Sequence, residues 1–194
     1  MRILVVGASG TIGSAVAGDL DDRGHIVLGA SRHTARYEVD VHDLESVRAL
    51  LERIRAVDAL VCAAGEAIYE ALGPGDIGGF DATLEQSVAD QIQLVDEASK
   101  RVRECIVLTA GMVAVEANGS VATAMTDGAL ERFVRKMTLV RRRPRINVVS
   151  PPLVHETARK LGIAADVGVP AGRVATLYRR AIEEDLRGEV LVFD

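Results

Sequence analysis

The feature that most constrains this chain is a run of three glycines at fixed spacing, Gly7-x-x-Gly10-x-x-Gly13. It comes directly after an apolar, β-branched stretch, Arg2–Val6. Such a stretch reads as a buried strand. Glycine straight after it permits a turn tight enough to send the chain back along the strand as a helix. The residues that follow, Ile12–Asp22, carry helical periodicity and stop at Gly24. Strand, glycine turn and helix in that order are the first half of a βαβ unit, which commits the fold to a parallel sheet.

The rest of the chain repeats the alternation. Strands are expected at His25–Ala30, Arg36–Val41, Ala59–Ala64, Glu104–Thr109, Arg145–Val149 and Glu189–Phe193. Helices are expected at Asp43–Arg55, Asp81–Lys100, Val121–Val140, His155–Leu161 and Arg173–Leu186. Gly65–Gly79, with five glycines and Pro74, reads as a loop. The expected architecture is α/β: a doubly wound parallel sheet of the Rossmann type in three α/β/α layers, one domain over residues 1–194. One joint is irregular. Only Ser31–Ala35 separates the second and third strands, too short for a parallel crossover with a helix. Either that helix is missing and the third strand is a short edge piece, or Arg36–Val41 is not a paired parallel strand.

Composition narrows the function. With 194 residues and 48% apolar content, the chain can bury one core. A net charge of −5 disfavours nonspecific nucleic-acid or anionic-membrane binding, and 3% aromatics leave few platforms for stacking bases. No stretch has the length of a membrane span, and the N-terminus lacks the pattern of a signal peptide. Cys62 and Cys105 lie in apolar runs and read as buried reduced thiols, and the four His lack ligand spacing, so no metal is expected. A cytoplasmic location is the matching expectation.

The glycine loop carries specific chemistry. Gly7 makes the turn, Gly10 lets the backbone approach a diphosphate, and Gly13 lets helix and strand pack closely. The unpaired N–H groups of the helix N-terminus face the phosphate charge. Ser9, Thr11 and Ile12 complete the loop. The second strand ends in Ser31-Arg32-His33, where an NAD-preferring site places a carboxylate for the ribose 2′-hydroxyl. Arg32 instead suits a 2′-phosphate, with Ser9, Ser31 and His33 as further donors, which favours NADP(H) over NAD(H).

Together these residues resemble the short-chain dehydrogenase/reductase family, nearly end to end. The glycine spacing is similar to that of its extended and atypical branches. Asp40-Val41 resembles the adenine-contacting Asp at the third strand, and Cys62-Ala63-Ala64-Gly65 the family's Asn-Asn-Ala-Gly after the fourth. Gly128-Ala129-Leu130-Glu131 resembles the middle of the long catalytic helix. Arg145-Ile146-Asn147-Val148-Val149-Ser150-Pro151-Pro152 resembles Arg-x-Asn-x-Val-x-Pro-Gly, whose backbone borders the nicotinamide. The resemblance implies a cofactor contact at Pro151, a small carbonyl or alcohol substrate, and a homodimer or homotetramer built on the two long helices.

The family's catalytic residues are not matched. A Lys is expected at position 127, which is Asp127; a Tyr at 123, which is Thr123; a Ser at 110, which is Ala110 beside Thr109; and a helix Asn at 87, which is Ser87. The residues four after Tyr37, Tyr69 and Tyr178, the chain's only tyrosines, are Val41, Gly73 and Ile182, so no Tyr-x-x-x-Lys exists. The family's Tyr donates a proton to the carbonyl oxygen, with its pKa lowered by the Lys. A threonine hydroxyl is too weak an acid to replace it. An ionised Asp127 would oppose a neighbouring oxyanion, yet it can accept hydrogen bonds from ribose hydroxyls. Tyr69, His155 and Thr109 are the other candidate donors. Their plain structural readings are loop packing, a helix start and a satisfied strand-end hydroxyl. Arg141-Arg142-Arg143-Pro144-Arg145 reads as a solvated helix end suited to the dipole, or as an anion site. Two functions follow: an NADP(H)-dependent oxidoreductase with a nonstandard site, or a catalytically silent NADP(H)-binding sensor or regulator.

Overall fold

The computed structural model describes residues 1–33, 35–65, 88–111, 121–160, 162 and 168–193, with the backbone alone for 121–123. Seven strands form one sheet: β1 (Arg2–Val6), β2 (Ile26–Ser31), β3 (Tyr37–Glu38), β4 (Val57–Cys62), β5 (Val102–Thr109), β6 (Arg145–Ser150) and β7 (Val190–Val192). Their order is β3-β2-β1-β4-β5-β6-β7, with every neighbouring pair parallel. The described helices are α1 (Thr11–Asp22), α2 (Leu44–Ile54), α3 (Asp90–Ala98), α4 (Val121–Val140), α5 (His155–Lys160) and α6 (Ala171–Glu183). This is the expected doubly wound, single-domain fold.

Alternation in the strands sorts the core into two layers. In β1, Leu4 and Val6 join the layer beneath α2, α3 and α4, while Ile3 and Val5 join the layer beneath α1 and α6. Each fully buried Leu or Ile contributes about 1.5–3 kcal/mol of apolar transfer, and both faces of β1 are covered, so its register is strongly specified. α2 starts at an Asp43 cap, whose carboxylate accepts from the Glu45 N–H at 2.9 Å. In α4, Thr126, Leu130 and Val134 fall on one buried stripe, with Asp127 beside them.

The irregular joint resolves as a missing crossover helix. β3 is a two-residue parallel edge strand, Ala30 facing Tyr37 and Ser31 facing Glu38. The rest of Arg36–Val41 is not strand. The guanidinium groups of Arg36 and Arg53 each lie 5.6 Å from the centre of the Tyr37 ring. The expected helix Asp81–Lys100 is described from Asp90 to Ala98, and the loop Gly65–Gly79 lies outside the described residues beyond Gly65.

The arginine run contains one correction. Arg145 is not solvated: it is buried, and its guanidinium donates to the carbonyls of Glu184 (2.7 Å), Leu186 (2.8 Å) and Ile182 (3.1 Å). It closes the C-terminal end of α6, whose last carbonyls have no helical partners.

Candidate functional site

The strand order places a switch point at β1, which pairs β2 on one side and β4 on the other. The connections depart to opposite faces there, leaving a crevice outside the carboxyl ends of the strands. Gly7 fills the mouth of that crevice with φ +86°, a conformation that disfavours side chains, and its N–H and that of Ala8 donate to Ala30 O at 2.8 and 3.1 Å. A Cβ on Gly7 would come within 2.5 Å of Ala63 O, and one on Gly13 within 2.0 Å of Gly7 O. Both glycines are therefore demanded by backbone contact. Gly10 caps α1 without any side chain, and Ser9 and Gly10 are exposed.

Across the loop lies a cleft of about 460 Å³, lined by Ser9, Gly10, Thr11 and Ser14 on one wall and by Glu156, Lys160, Ala171 and Gly172 on the other. Lys160, at the end of α5, extends its ammonium to 3.0 Å from Thr11 Oγ1. Glu156 accepts the Ala171 N–H at the start of α6. A glycine loop, a helix N-terminus and a cation on a single cleft suit a dinucleotide diphosphate. Sequence reasoning missed Lys160 because nothing local links residue 160 to residue 11; the fold alone brings them together.

The remaining predicted contacts line the same edge. Ser31 ends β2 and is buried, while Arg32 and His33 are exposed just beyond it. Asp40 Oδ1 accepts the His42 N–H at 3.1 Å, and Val41 packs on the core. Ile12, in the first turn of α1, packs on the opposite core layer. Ala63, Ala64 and Gly65 follow β4, and the Ala63 N–H donates to Val6 O at 2.8 Å. Pro151 follows β6 and is buried.

The catalytic candidates are scattered. Tyr69 and Ser87 lie outside the described residues, and Thr123 is described only as backbone in the first turn of α4. The Thr109 hydroxyl points into the α6 layer: it donates to Cys62 O at 2.5 Å and receives the Tyr178 hydroxyl at 2.8 Å. Full burial pushes the Tyr178 phenol well above its ordinary range, so it is a neutral packing group. His155 donates its backbone N–H to Val169 O, and its ring has no partner among the described residues. Gln91, another residue with no sequence signal, is buried and clamps the Thr109 backbone, giving Nε2–H to the carbonyl (2.8 Å) and taking the amide (3.1 Å) at Oε1.

Asp127 is the exception. It is 6% exposed, and its Oδ2 is buried with no hydrogen-bond partner among the described residues. It lies against Gly111, just past β5, where a Cβ would be 3.0 Å from Oδ2. Burial, reinforced by Glu131 and opposed by the Gly111 amide, pushes its pKa up to about 7. The ionised carboxylate considered from sequence is thus substantially protonated near neutrality.

The two cysteines are free and buried, and burial pushes Cys62 to about 12 and Cys105 to about 11. Among the described residues no three His, Cys, Asp or Glu side chains converge on a metal position, and no helix is long and apolar enough to cross a membrane.

With the crevice and its glycine turn in place, comparison with known proteins gives the class. The profile of the NAD dependent epimerase/dehydratase family matches residues 3–116, and the chain belongs to that family. Its fold is of the short-chain dehydrogenase type. The structure of the protein lin1944 from Listeria innocua superposes over the whole of both chains, with a TM-score of 0.89 and 30% identity. Ligand-free aldohexose dehydrogenase from Thermoplasma acidophilum gives 0.83 at 20% identity, covering 100% of this chain and 92% of that one. A small-chain dehydrogenase solved in complex with NADPH gives 0.81 at 23% identity, covering 100% and 96%. These last two share the fold. No curated protein matches the sequence.

Proposed function

We propose that the protein binds NADP(H) along the carboxyl edge of its sheet and acts as an oxidoreductase on a small carbonyl or alcohol, without the family's Tyr and Lys. The observation that carries the reading is the exposed glycine turn at the start of α1, facing Lys160 across an open cleft. In this reading the diphosphate lies on the Gly7–Gly13 turn, with Ser9, Thr11 and Ile12 as flanking contacts. Ser31, Arg32 and His33 hold the adenosine 2′-phosphate, Asp40 and Val41 border the adenine, and Ala63, Ala64, Gly65 and Pro151 line the path to the nicotinamide. The dinucleotide supplies the hydride chemistry when bound; the chain's residues bind and orient it. Asp127, past β5, takes the ribose hydroxyls. His155 and Tyr69 are the candidate proton donors, with Thr123 as a polarising hydroxyl; Thr109, its hydroxyl turned toward Tyr178, serves the core instead.

One observation favours a second reading, a silent NADP(H)-binding sensor. Among the described residues, the tyrosine near the end of β5, Tyr178, is fully buried in the wrong layer to protonate a substrate. Titration with NADPH and NADH separately, by fluorescence or calorimetry, tests the shared premise. Consumption of NADPH over a panel of carbonyl compounds then divides the two. Turnover lost in Tyr69→Phe or His155→Ala supports the enzyme and names its donor; turnover unchanged in both removes both donors. We also propose a homodimer or homotetramer through α4, whose Met125, Leu139 and Val140 are exposed.

A further inference from the structure

Buried carboxyl oxygens without a partner are rare, because desolvation is offset only by a hydrogen bond or by protonation. Among the described residues, Asp127 Oδ2 is such an atom. It lies at the carboxyl end of β5, the edge that forms the crevice, beside the Gly111 backbone. The Gly111 carbonyl is itself held by the Ser150 hydroxyl at 2.7 Å, and Gln91 fixes the Thr109 backbone two residues earlier. The acceptor therefore faces a rigid strand end.

We infer that dinucleotide binding is proton-linked through Asp127: a ribose hydroxyl of the ligand donates to the orphaned Oδ2, and the carboxyl proton leaves to solvent. The inference rests on the reading of this edge as the dinucleotide site. The step balances as one neutral carboxyl plus ligand giving one hydrogen-bonded carboxylate plus one proton. A donor aimed at the charged form favours it, so the bound protein holds that proton less tightly than the free one. In the free protein the carboxyl titrates near neutrality. Affinity therefore rises with pH up to about 7 and levels off above it. Among the described residues, the charged group acting on Asp127 is Glu131, one turn along α4. At this end β5 and β6 present the uncharged Thr109, Gly111 and Ser150, and the Asp90 of α3 is taken up by His42 at 2.5 Å.

The test is calorimetric titration of the full chain with NADP⁺, stable in acid, at several pH values from 5.5 to 8 and in two buffers of different ionisation enthalpy. Wild type is expected to release up to one more proton near pH 6 than Asp127→Asn, with an affinity gain of up to about tenfold per pH unit that the variant lacks. Ionisation of the ligand's own 2′-phosphate near pH 6 cancels in that difference. Glu131→Gln, which removes a nearby negative charge, is expected to move the wild-type midpoint to lower pH, and serves alone if Asp127→Asn fails to fold. Equal proton release and parallel pH profiles in wild type and variant, or an unmoved midpoint in Glu131→Gln, overturn the proton linkage and leave the binding site standing. No binding of NADP⁺ by wild type at any pH overturns the site reading, and the linkage with it.

Discussion

Arg32, Lys160 and Asp127 make separable predictions. Arg32 stands where a carboxylate would select a free 2′-hydroxyl. Arg32→Ala is expected to cut the preference for NADPH over NADH by about tenfold or more, read as the ratio of dissociation constants. Equal affinity for the two cofactors in wild type would reject the Arg32 assignment. Lys160→Met is expected to weaken both cofactors alike, roughly five- to tenfold, and to flatten the salt dependence of binding. Asp127 predicts a stability effect. Its folded-state pKa, about 7, lies above the ordinary carboxyl value of 3.8. The folded protein thus holds more protons than the unfolded chain between those values. Stability present below about pH 4 is lost as the pH rises toward 7. Asp127→Asn should therefore be more stable than wild type above pH 7, by on the order of 2 kcal/mol, with the gain shrinking as pH falls toward 4. Denaturant melts at pH 4.5 and 8 read this directly.

Among the elements, β6 shows how a motif legible only by resemblance acquires a physical role. Asn147, fully buried, gives its amide N–H to Leu186 O at 3.0 Å and takes the Glu189 N–H at 3.1 Å, pinning the link between α6 and β7. Arg145 covers the end of α6 from the same strand. These two residues hold up the last helix from beneath, and only Ser150 and Pro151 reach the crevice edge. Arg145→Met leaves buried carbonyls without donors and is expected to cost about 3 kcal/mol, a fall in Tm of roughly 6–12 °C. Cofactor affinity measured well below the melt should change little. The short join at Ser31–Ala35 is read from sequence as a choice between two arrangements. Pairing of Tyr37 with Ala30 decides it, because two residues of parallel ladder suffice once the Arg36 and Arg53 guanidinium groups cover the Tyr37 ring.

At the scale of the whole molecule, parallel strands order themselves around β1, and the site exists because the connections reverse there. α4 carries exposed apolar residues at its far end, Leu139 at 77% exposure with Val140 beside it. A single isolated case would be ordinary. If α4 forms the subunit contact, Leu139→Glu should lower the mass measured by analytical ultracentrifugation while the melting temperature of the protomer holds. A wild-type protein that sediments as a monomer at micromolar concentration would remove the proposed assembly.

The local pattern of residues determined what local physics controls. Strand and helix alternation, the glycine turn and the absence of a Tyr-x-x-x-Lys pair all follow from periodicity, backbone freedom and side-chain identity over a few neighbouring positions. Asp127 was visible as a departure from the expected lysine, but its protonation was not, since desolvation depends on everything packed around it. The same holds for Lys160 beside Thr11, 149 positions apart in the chain, and for Thr109 facing Tyr178 across 69. Burial and long-range contact are sums over the whole fold, and those sums decided which hydroxyl is spent in the core, which cation reaches the cleft and which acid is buried.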